Sequence, residues 1–224
     1  MTTRIANIIC LIIIAAFGAY VVWIYPGLPD PMPTHWNAAG EVDDYSSKPF
    51  GATIIGLVPV FSFAIFKLIP VISPRGFRTE SFTGVLNILM TATVLFGAII
   101  GVGVFRAAND PSVNISTFVF VAVGLLFIVI GNFLGKVRKN FFLGIRTPWT
   151  LASDEVWAKT HRLGGWCFVV AGVIMALMGA AAPASNMGWV IGVVVAIALI
   201  PVVYSFFAYR KIEGFAPDPD IDED

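Results

Sequence analysis

The sequence predicts an all-α integral membrane protein with six transmembrane helices and with the N and C termini in the cytoplasm. Three observations predict it: the composition, six apolar runs of spanning length, and the placement of the charges. Of the 224 residues, 58% are hydrophobic and 12% are charged, whereas about a quarter are charged in a typical soluble protein. Such a chain cannot cover a globule with polar side chains, so lipid must surround most of it.

The first apolar run covers residues 5–25 and contains no charged residue. At a rise of about 1.5 Å per residue it is long enough to cross a bilayer core. It is also longer than the apolar part of a cleaved signal peptide, so we interpret it as a permanent anchor. Trp23 and Tyr25 near its end are residues that favour the membrane interface.

Five further runs follow a polar segment at residues 26–51 that is rich in Pro, Gly, Asn and Asp. That composition predicts a loop between spans. The runs cover residues 52–72, 85–105, 114–134, 165–184 and 188–208, each close to the roughly 20 residues that a spanning helix needs. Lys67 lies near the end of the second span, from which its long side chain can reach the headgroups.

The positive charges predict the orientation. With a cytoplasmic N terminus, 12 of the 14 Lys and Arg residues fall on the cytoplasmic side, and Lys48 and Arg106 fall outside. Six of the twelve lie between residues 131 and 166. Because cytoplasmic loops carry an excess of Lys and Arg, this bias favours an even number of spans with both ends in the cytoplasm.

Small residues four positions apart occur in two spans, at Gly97 and Gly101 and again at Gly172 and Ala176. This spacing lets helix backbones approach closely in lipid. It is compatible with packing inside one six-helix bundle, which we favour, and with a homo-oligomer. The chain ends in an acidic, proline-containing stretch at residues 212–224, for which the composition predicts a disordered tail.

The predicted external loop combines acidic and aromatic residues. Three carboxylates within four residues follow a turn that contains Asn37 and Gly40. The alternatives are a solvated acidic loop, a divalent-cation site, and a surface that contacts a cationic or amphipathic peptide. The candidate peptide-contact residues are His35, Trp36, Asn37, Glu41, Asp43 and Asp44.

The predicted cytoplasmic loop carries a short helix over residues 154–163. Ser153 can cap it, and Gly164 would end it. Glu155 and Lys159 form an i,i+4 pair, as do Trp157 and His161. An interfacial amphipathic helix accounts for this pattern, and Pro148 ends any helix before it because it biases the preceding residue towards an extended conformation.

The residues do not predict an enzyme. The sequence contains no HExxH motif, no G-x-S-x-G elbow and no phosphate-binding glycine loop. The predicted topology places His35 and His161 on opposite sides of the bilayer, so we expect neither a shared metal nor a cofactor. Cys10 and Cys167 are interpreted as small buried apolar residues. A net charge of zero predicts no nucleic-acid partner.

Two blocks of sequence resemble a known family. The run NFFLGIRTPWTLASDEVWAKTHRLGGW, which begins at Asn140, resembles the signature of SdpI-type immunity proteins. The family hallmark is an Asn followed by GIRTPWTL, then a Trp and a His shortly before a glycine pair. The segment LPDPMPTHWNAAGEVDDYSSKP is similar to the small domain of unknown function that often precedes that signature, with its P-x-H-x-N-x-x-G core at residues 33–40.

The resemblance implies a multi-pass protein of the bacterial plasma membrane that senses or neutralises a secreted, membrane-active toxin peptide. By analogy with the best-known member of the family, it also implies a cytoplasmic transcriptional repressor as a partner. It implies no catalytic activity. The alternative from another class is a permease for a small solute or a lipid, although no Asp, Glu, Arg or His lies at the centre of a predicted span. The cytoplasmic partner candidates are Asn140, Arg146, Thr147, Trp149, Glu155, Trp157 and His161.

We expect four regions along the chain. Residues 1–72 form a first helical hairpin that carries the external loop, and residues 73–134 contribute the third and fourth spans. Residues 135–211 hold the signature loop and the last two spans, followed by the acidic tail.

Overall fold

The structure is a computed structural model that describes residues 1–37, 40–77, 79–181 and 187–215, without the side chains of Met187 and Trp189. In this part of the chain six helices are long and apolar enough to cross a membrane. The predicted all-α membrane fold with six transmembrane helices is therefore confirmed, and the cytoplasmic placement of the termini stays a prediction. The acidic tail from residue 216 onwards lies outside the described residues.

The helices are α1 (Thr3–Ile24), α2 (Lys48–Ile72), α3 (Thr83–Asn109), α4 (Ile115–Leu134), the short α5 (Pro148–Ala152), α6 (Asp154–Ala181) and α7 (Met187–Ile212). Side-chain caps define two of the starts. Thr2 accepts a hydrogen bond from the Ile5 amide at the beginning of α1, and Asn114 accepts one from the Thr117 amide at the beginning of α4. Such caps satisfy amides that have no partner within the helix.

The segment between α1 and α2 is not the irregular loop that its composition predicts. It forms an antiparallel β-hairpin of β1 (Met32–Trp36) and β2 (Val42–Ser46), in which Met32 lies opposite Ser46 and Trp36 lies opposite Val42. Met32 is fully buried and joins a core cluster with Phe17 and Phe105. Burial of the β1 side against the bundle stabilises a hairpin that would be marginal alone.

Of two further predictions about local structure, the one at Pro148 is confirmed and the one at Gly164 is wrong. Thr147 is extended, with φ −96° and ψ 162°, and no described helix runs into Pro148, which instead occupies the first turn of α5, where its missing N–H costs nothing. Gly164 does not stop a short interfacial helix, since α6 runs without a break from Asp154 to Ala181. Helix geometry places Val156, Trp157, Thr160 and His161 on the buried face of α6 rather than at a lipid interface.

Close contacts between glycines join α4 to α6. A Cβ atom on Gly131 would lie 2.6 Å from the carbonyl oxygen of Gly165, and one on Gly124 would lie 2.6 Å from that of Gly172. The two helices therefore pack backbone to backbone, as small residues permit in lipid. Gly97 packs against Val58 and Gly101 packs against Phe17, both within the same chain. Packing inside the bundle therefore accounts for the four-residue spacing of these two glycines.

Contacts between the elements show which helix ends lie at the same end of the bundle. Phe66 near the end of α2 shares a cluster with Leu86 of α3 and with Trp157 of α6. The hairpin instead packs beside Phe105 at the end of α3 and beside the first turn of α4. The hairpin and the 135–153 loop therefore lie at opposite ends of the helical bundle.

Candidate functional site

The hairpin forms the first candidate surface, which we call the hairpin surface and define as His35–Asn37 and Glu41–Asp44. Its turn is closed by Asn37, whose amide donates to the Glu41 carbonyl oxygen at 2.9 Å and whose side chain accepts from the Glu41 amide at 3.0 Å. Gly40 has φ +82°, a conformation that favours glycine. The sequence therefore builds a defined turn that holds the acidic residues in place.

The carboxylates of the hairpin surface are exposed. Asp43 Oδ1 lies 2.5 Å from His35 Nδ1, and Asn37 Nδ2 donates to Glu41 Oε2 at 3.0 Å. Asp44 Oδ1 accepts from the Tyr45 amide at 2.8 Å. Between residues 26 and 47 there is no Lys or Arg, so this end of the molecule presents net negative charge.

A groove of about 310 Å³ runs beneath the hairpin surface. On the hairpin side it is lined by Thr34, His35, Trp36 and Asn37, and the helices supply Val104, Ile115, Ser116, Val119, Phe120 and Ile191. The groove is mostly apolar on its helical side and lies beside the acidic turn. A peptide that combines cationic and apolar side chains would match both parts.

The second candidate surface is the signature loop, residues 136–153, together with the first two turns of α6. Asn140 is fully buried and organises its beginning. Its Oδ1 accepts from the amides of Phe142 and Leu143 at 2.8 and 2.7 Å, and its Nδ2 donates to the carbonyl oxygens of Arg138 and Leu143. All the hydrogen-bonding capacity of this amide is used inside the loop.

His161 ties the middle of the loop to α6. Its Nδ1 lies 2.8 Å from the carbonyl oxygen of Trp157, and its Nε2 lies 3.0 Å from the amide of Ile145. A carbonyl can only accept and an amide can only donate, so the ring is a neutral imidazole with its proton on Nδ1. This histidine acts as a structural clamp between the loop and the helix.

Trp157 and Gly144 complete the clamp. The Trp157 ring stacks on the His161 ring with centroids 3.9 Å apart, and its Nε1 donates to the Val137 carbonyl oxygen at 2.8 Å. Gly144 has φ +109°, and a Cβ atom there would lie 2.2 Å from His161 Nε2. The loop can therefore approach the imidazole only with glycine at this position.

Thr147 performs a third structural role. It caps α5 by accepting from the Thr150 amide at 3.2 Å, and its hydroxyl lies 3.0 Å from that of Ser205 on α7. Thr147, Thr150 and Ser205 are all buried. Sequence reasoning missed Gly144 and Ser205 as members of this network, because they are distant in the chain from His161 and Thr147. It also missed Thr150, although the three-residue spacing from Thr147 is that of a capping box.

The remaining loop candidates are accessible. Arg146 is exposed, with its guanidinium donating to the Phe141 carbonyl oxygen. Trp149 is half-buried against the edge of Phe206, and Glu155 pairs with Lys159 at 2.6 Å. Of the seven cytoplasmic partner candidates, the structure thus buries Asn140, Thr147, Trp157 and His161, and it leaves Arg146, Trp149 and Glu155 open to contact.

His35 and His161 lie at opposite ends of the bundle and share no neighbours. Within the residues that the structure describes, no group of three His, Cys, Asp or Glu side chains is arranged to hold a metal ion. Six spanning helices with two polar turns at opposite ends define a multi-pass plasma-membrane protein.

Comparisons with known proteins agree with this class. Residues 136–205 match the SdpI/YfhL protein family, and residues 11–58 match a domain of unknown function, DUF1648. The chain is 26% identical to "Immunity protein SdpI" of Bacillus subtilis (strain 168) over 208 residues, which are 93% of this chain and 98% of that protein. No solved structure matches the chain. These matches confirm the resemblance to the SdpI-type immunity proteins.

Proposed function

We propose that this chain is a membrane immunity protein that protects its host against a secreted, membrane-active toxin peptide. The alignment with an immunity protein over nearly the full length of both chains carries the proposal. The loop end fits a role without catalysis, since both ring nitrogens of His161 are engaged in hydrogen bonds to the backbone.

The hairpin surface is the proposed contact for the toxin, on the outer side of the membrane. Its exposed carboxylates would attract cationic side chains, and the groove beneath it would accept apolar ones. Trp36 and His35 line that groove, so the aromatic and acidic candidates belong to one surface. Binding there would hold the peptide at the interface before it inserts.

The signature loop is the proposed cytoplasmic contact for a transcriptional repressor. The exposed Arg146, the half-buried Trp149 and the exposed Glu155 supply the side chains that a soluble partner could reach. The buried Asn140, Thr147, Trp157 and His161 would act indirectly, by holding the loop in shape. Substituting Arg146 and Trp149 should abolish recruitment of a repressor and leave toxin resistance measurable.

The test is a gain of resistance in a sensitive bacterium. The host would express the chain and be exposed to secreted, membrane-active peptides that kill it. We expect the wild-type chain to raise the inhibitory concentration severalfold. We expect Asp43→Asn combined with Asp44→Asn to lose most of that gain, because the carboxylates that attract the peptide are removed.

Asp110→Asn is the control, because Asp110 is exposed at the same end of the bundle but follows α3 and lies outside the hairpin surface. It should leave resistance unchanged. If correctly inserted wild-type chain gave no resistance, the immunity function would be contradicted. If it instead drove uptake of a solute into vesicles, the permease alternative would replace it.

A further inference from the structure

A second groove lies at the end of the bundle that carries the signature loop. It has a volume of about 260 Å³ and opens where α4 ends beside the third to fifth turns of α6. Its lining is separate from the clamp formed by Trp157 and His161. The residues that line it are Gly131, Asn132, Gly135, Lys136, Arg162, Gly165, Trp166 and Val169.

Glycines create this groove. Gly131 and Gly165 bring the two backbones together, and a Cβ atom on either would lie within 2.7 Å of the other's carbonyl oxygen. A Cβ atom on Gly135 would lie 3.6 Å from Arg162 Cα. Because these glycines have no side chains, a trough is left between the helices. The backbone at Lys136 lies beside the backbone at Arg162.

Two cations stand at the groove without a carboxylate partner. In the described part of the chain, the nearby ion pairs engage Lys139 with Asp154 and Lys159 with Glu155. Neither Lys136 nor Arg162 has a described carboxylate oxygen within the 4.0 Å of an ion pair, and both are exposed. Lys136 Nζ lies 5.1 Å from the centroid of the Phe133 ring. The groove therefore combines positive charge with open space.

The groove also lies at the edge of the apolar surface. Trp166 is 70% exposed and follows Arg162 by one helical turn, which is the arrangement expected at a membrane interface. Beyond it, towards the middle of α6, the exposed side chains are apolar, including Val170 and Val173. A ligand with an anionic head and an apolar tail would match the groove and the surface that continues from it.

We propose that this groove binds the phosphate headgroup of an anionic phospholipid. Lys136 and Arg162 would contact the phosphate, with the fork of the guanidinium suited to two of its oxygens. The Trp166 ring would pack against the glycerol region, and one acyl chain would follow the apolar face of α6. A soluble phosphate compound would leave that apolar face unused, which is why the occupant is assigned as a lipid.

The test measures lipid retention by native mass spectrometry on the full chain in detergent micelles. The micelles would be titrated with phosphatidylglycerol and, separately, with the neutral phosphatidylcholine. We expect the wild-type chain to retain one phosphatidylglycerol with about tenfold preference over phosphatidylcholine. Lys136→Ala combined with Arg162→Ala should remove that preference, whereas Lys136→Arg combined with Arg162→Lys should keep it because the charge remains.

The matched control removes two cations at the same end of the bundle, by Arg210→Ala combined with Lys211→Ala in the last turn of α7. It should retain the lipid as the wild type does. An equal loss of lipid in the control would overturn the site, because the positive charges would then attract the lipid without a defined position. Equal binding of phosphatidylcholine by the wild type would also overturn it, because the groove would then not select the anionic lipid. Displacement by glycerol phosphate at the concentration of the lipid would overturn the assignment to a lipid.

Discussion

The two ends of this molecule use polar residues in opposite ways. At the hairpin end, the carboxylates and His35 make their hydrogen bonds on the surface, where they stay accessible to a ligand. At the loop end, Asn140, Thr147 and His161 make theirs in the interior, with their polar atoms engaged by the backbone or by a neighbouring hydroxyl. A family signature can therefore mark residues that shape a site as well as residues that contact a partner.

The difference predicts that substitutions at the loop end act on folding and that substitutions at the hairpin end act on binding. The largest effect should follow Trp157→Ala. This change removes a ring that is 3% exposed and leaves the Val137 carbonyl oxygen without its donor. The free energy of unfolding in detergent should fall by roughly 3–5 kcal/mol.

Trp166→Ala is the matched control on the same helix, since Trp166 is exposed. Its cost should be below about 1 kcal/mol. Denaturant unfolding followed by circular dichroism would measure both variants. Equal losses would mean that the loop end is not held by the Trp157 clamp.

A smaller but still large effect is expected for Gly144→Ala. The new Cβ would meet the His161 imidazole, and the positive φ would add strain of about 1–2 kcal/mol. Loss of the bond from the Ile145 amide to His161 should add roughly 1–3 kcal/mol.

Gly76→Ala separates strain from contact in this experiment. Gly76 has φ +89°, and a Cβ atom there would meet nothing within 4 Å. We expect this control to lose only the strain. If the melting temperatures of the two variants fell equally, the close approach of the loop to His161 would play no part in stability.

The smallest effect on stability is expected at the hairpin surface. Asp43→Asn combined with Asp44→Asn removes exposed carboxylates, and an exposed contact such as the hydrogen bond between Asp43 and His35 contributes about 1 kcal/mol or less. The melting temperature should therefore stay nearly constant while toxin resistance falls. Unfolding of this variant would instead assign the carboxylates a structural role.

Much of the fold could be predicted from the sequence, because six apolar runs of spanning length, with Lys67 as their one charged residue, have few alternatives in lipid. The stacking of Trp157 on His161 also follows from their i,i+4 spacing. The burial of that pair does not, because it depends on loop and helix contacts far along the chain. Gly164 indicates a helix stop in isolation, yet in the bundle it gives room to Ile145, as Gly165 gives room to α4.

The hairpin could not be predicted for a different reason. Pro31 and Pro33 are breakers in a sequence pattern, and β2 has the polar sequence VDDYS with little alternation. Its stability comes from tertiary contact, in which Met32 is buried and the strands approach Gly51 of α2, where a Cβ atom would lie 2.7 Å from Ser46 Oγ. Local composition does not contain that information.

The placement of the hairpin outside the membrane and of the signature loop in the cytoplasm is tested most directly by cysteine labelling. Cys10 and Cys167 would be replaced by Ala, and Tyr45→Cys and Ala152→Cys would be introduced singly at exposed positions. In spheroplasts, a membrane-impermeant maleimide should label the cysteine at position 45 at once and the one at position 152 only after lysis. Labelling of both positions in intact spheroplasts would contradict the account.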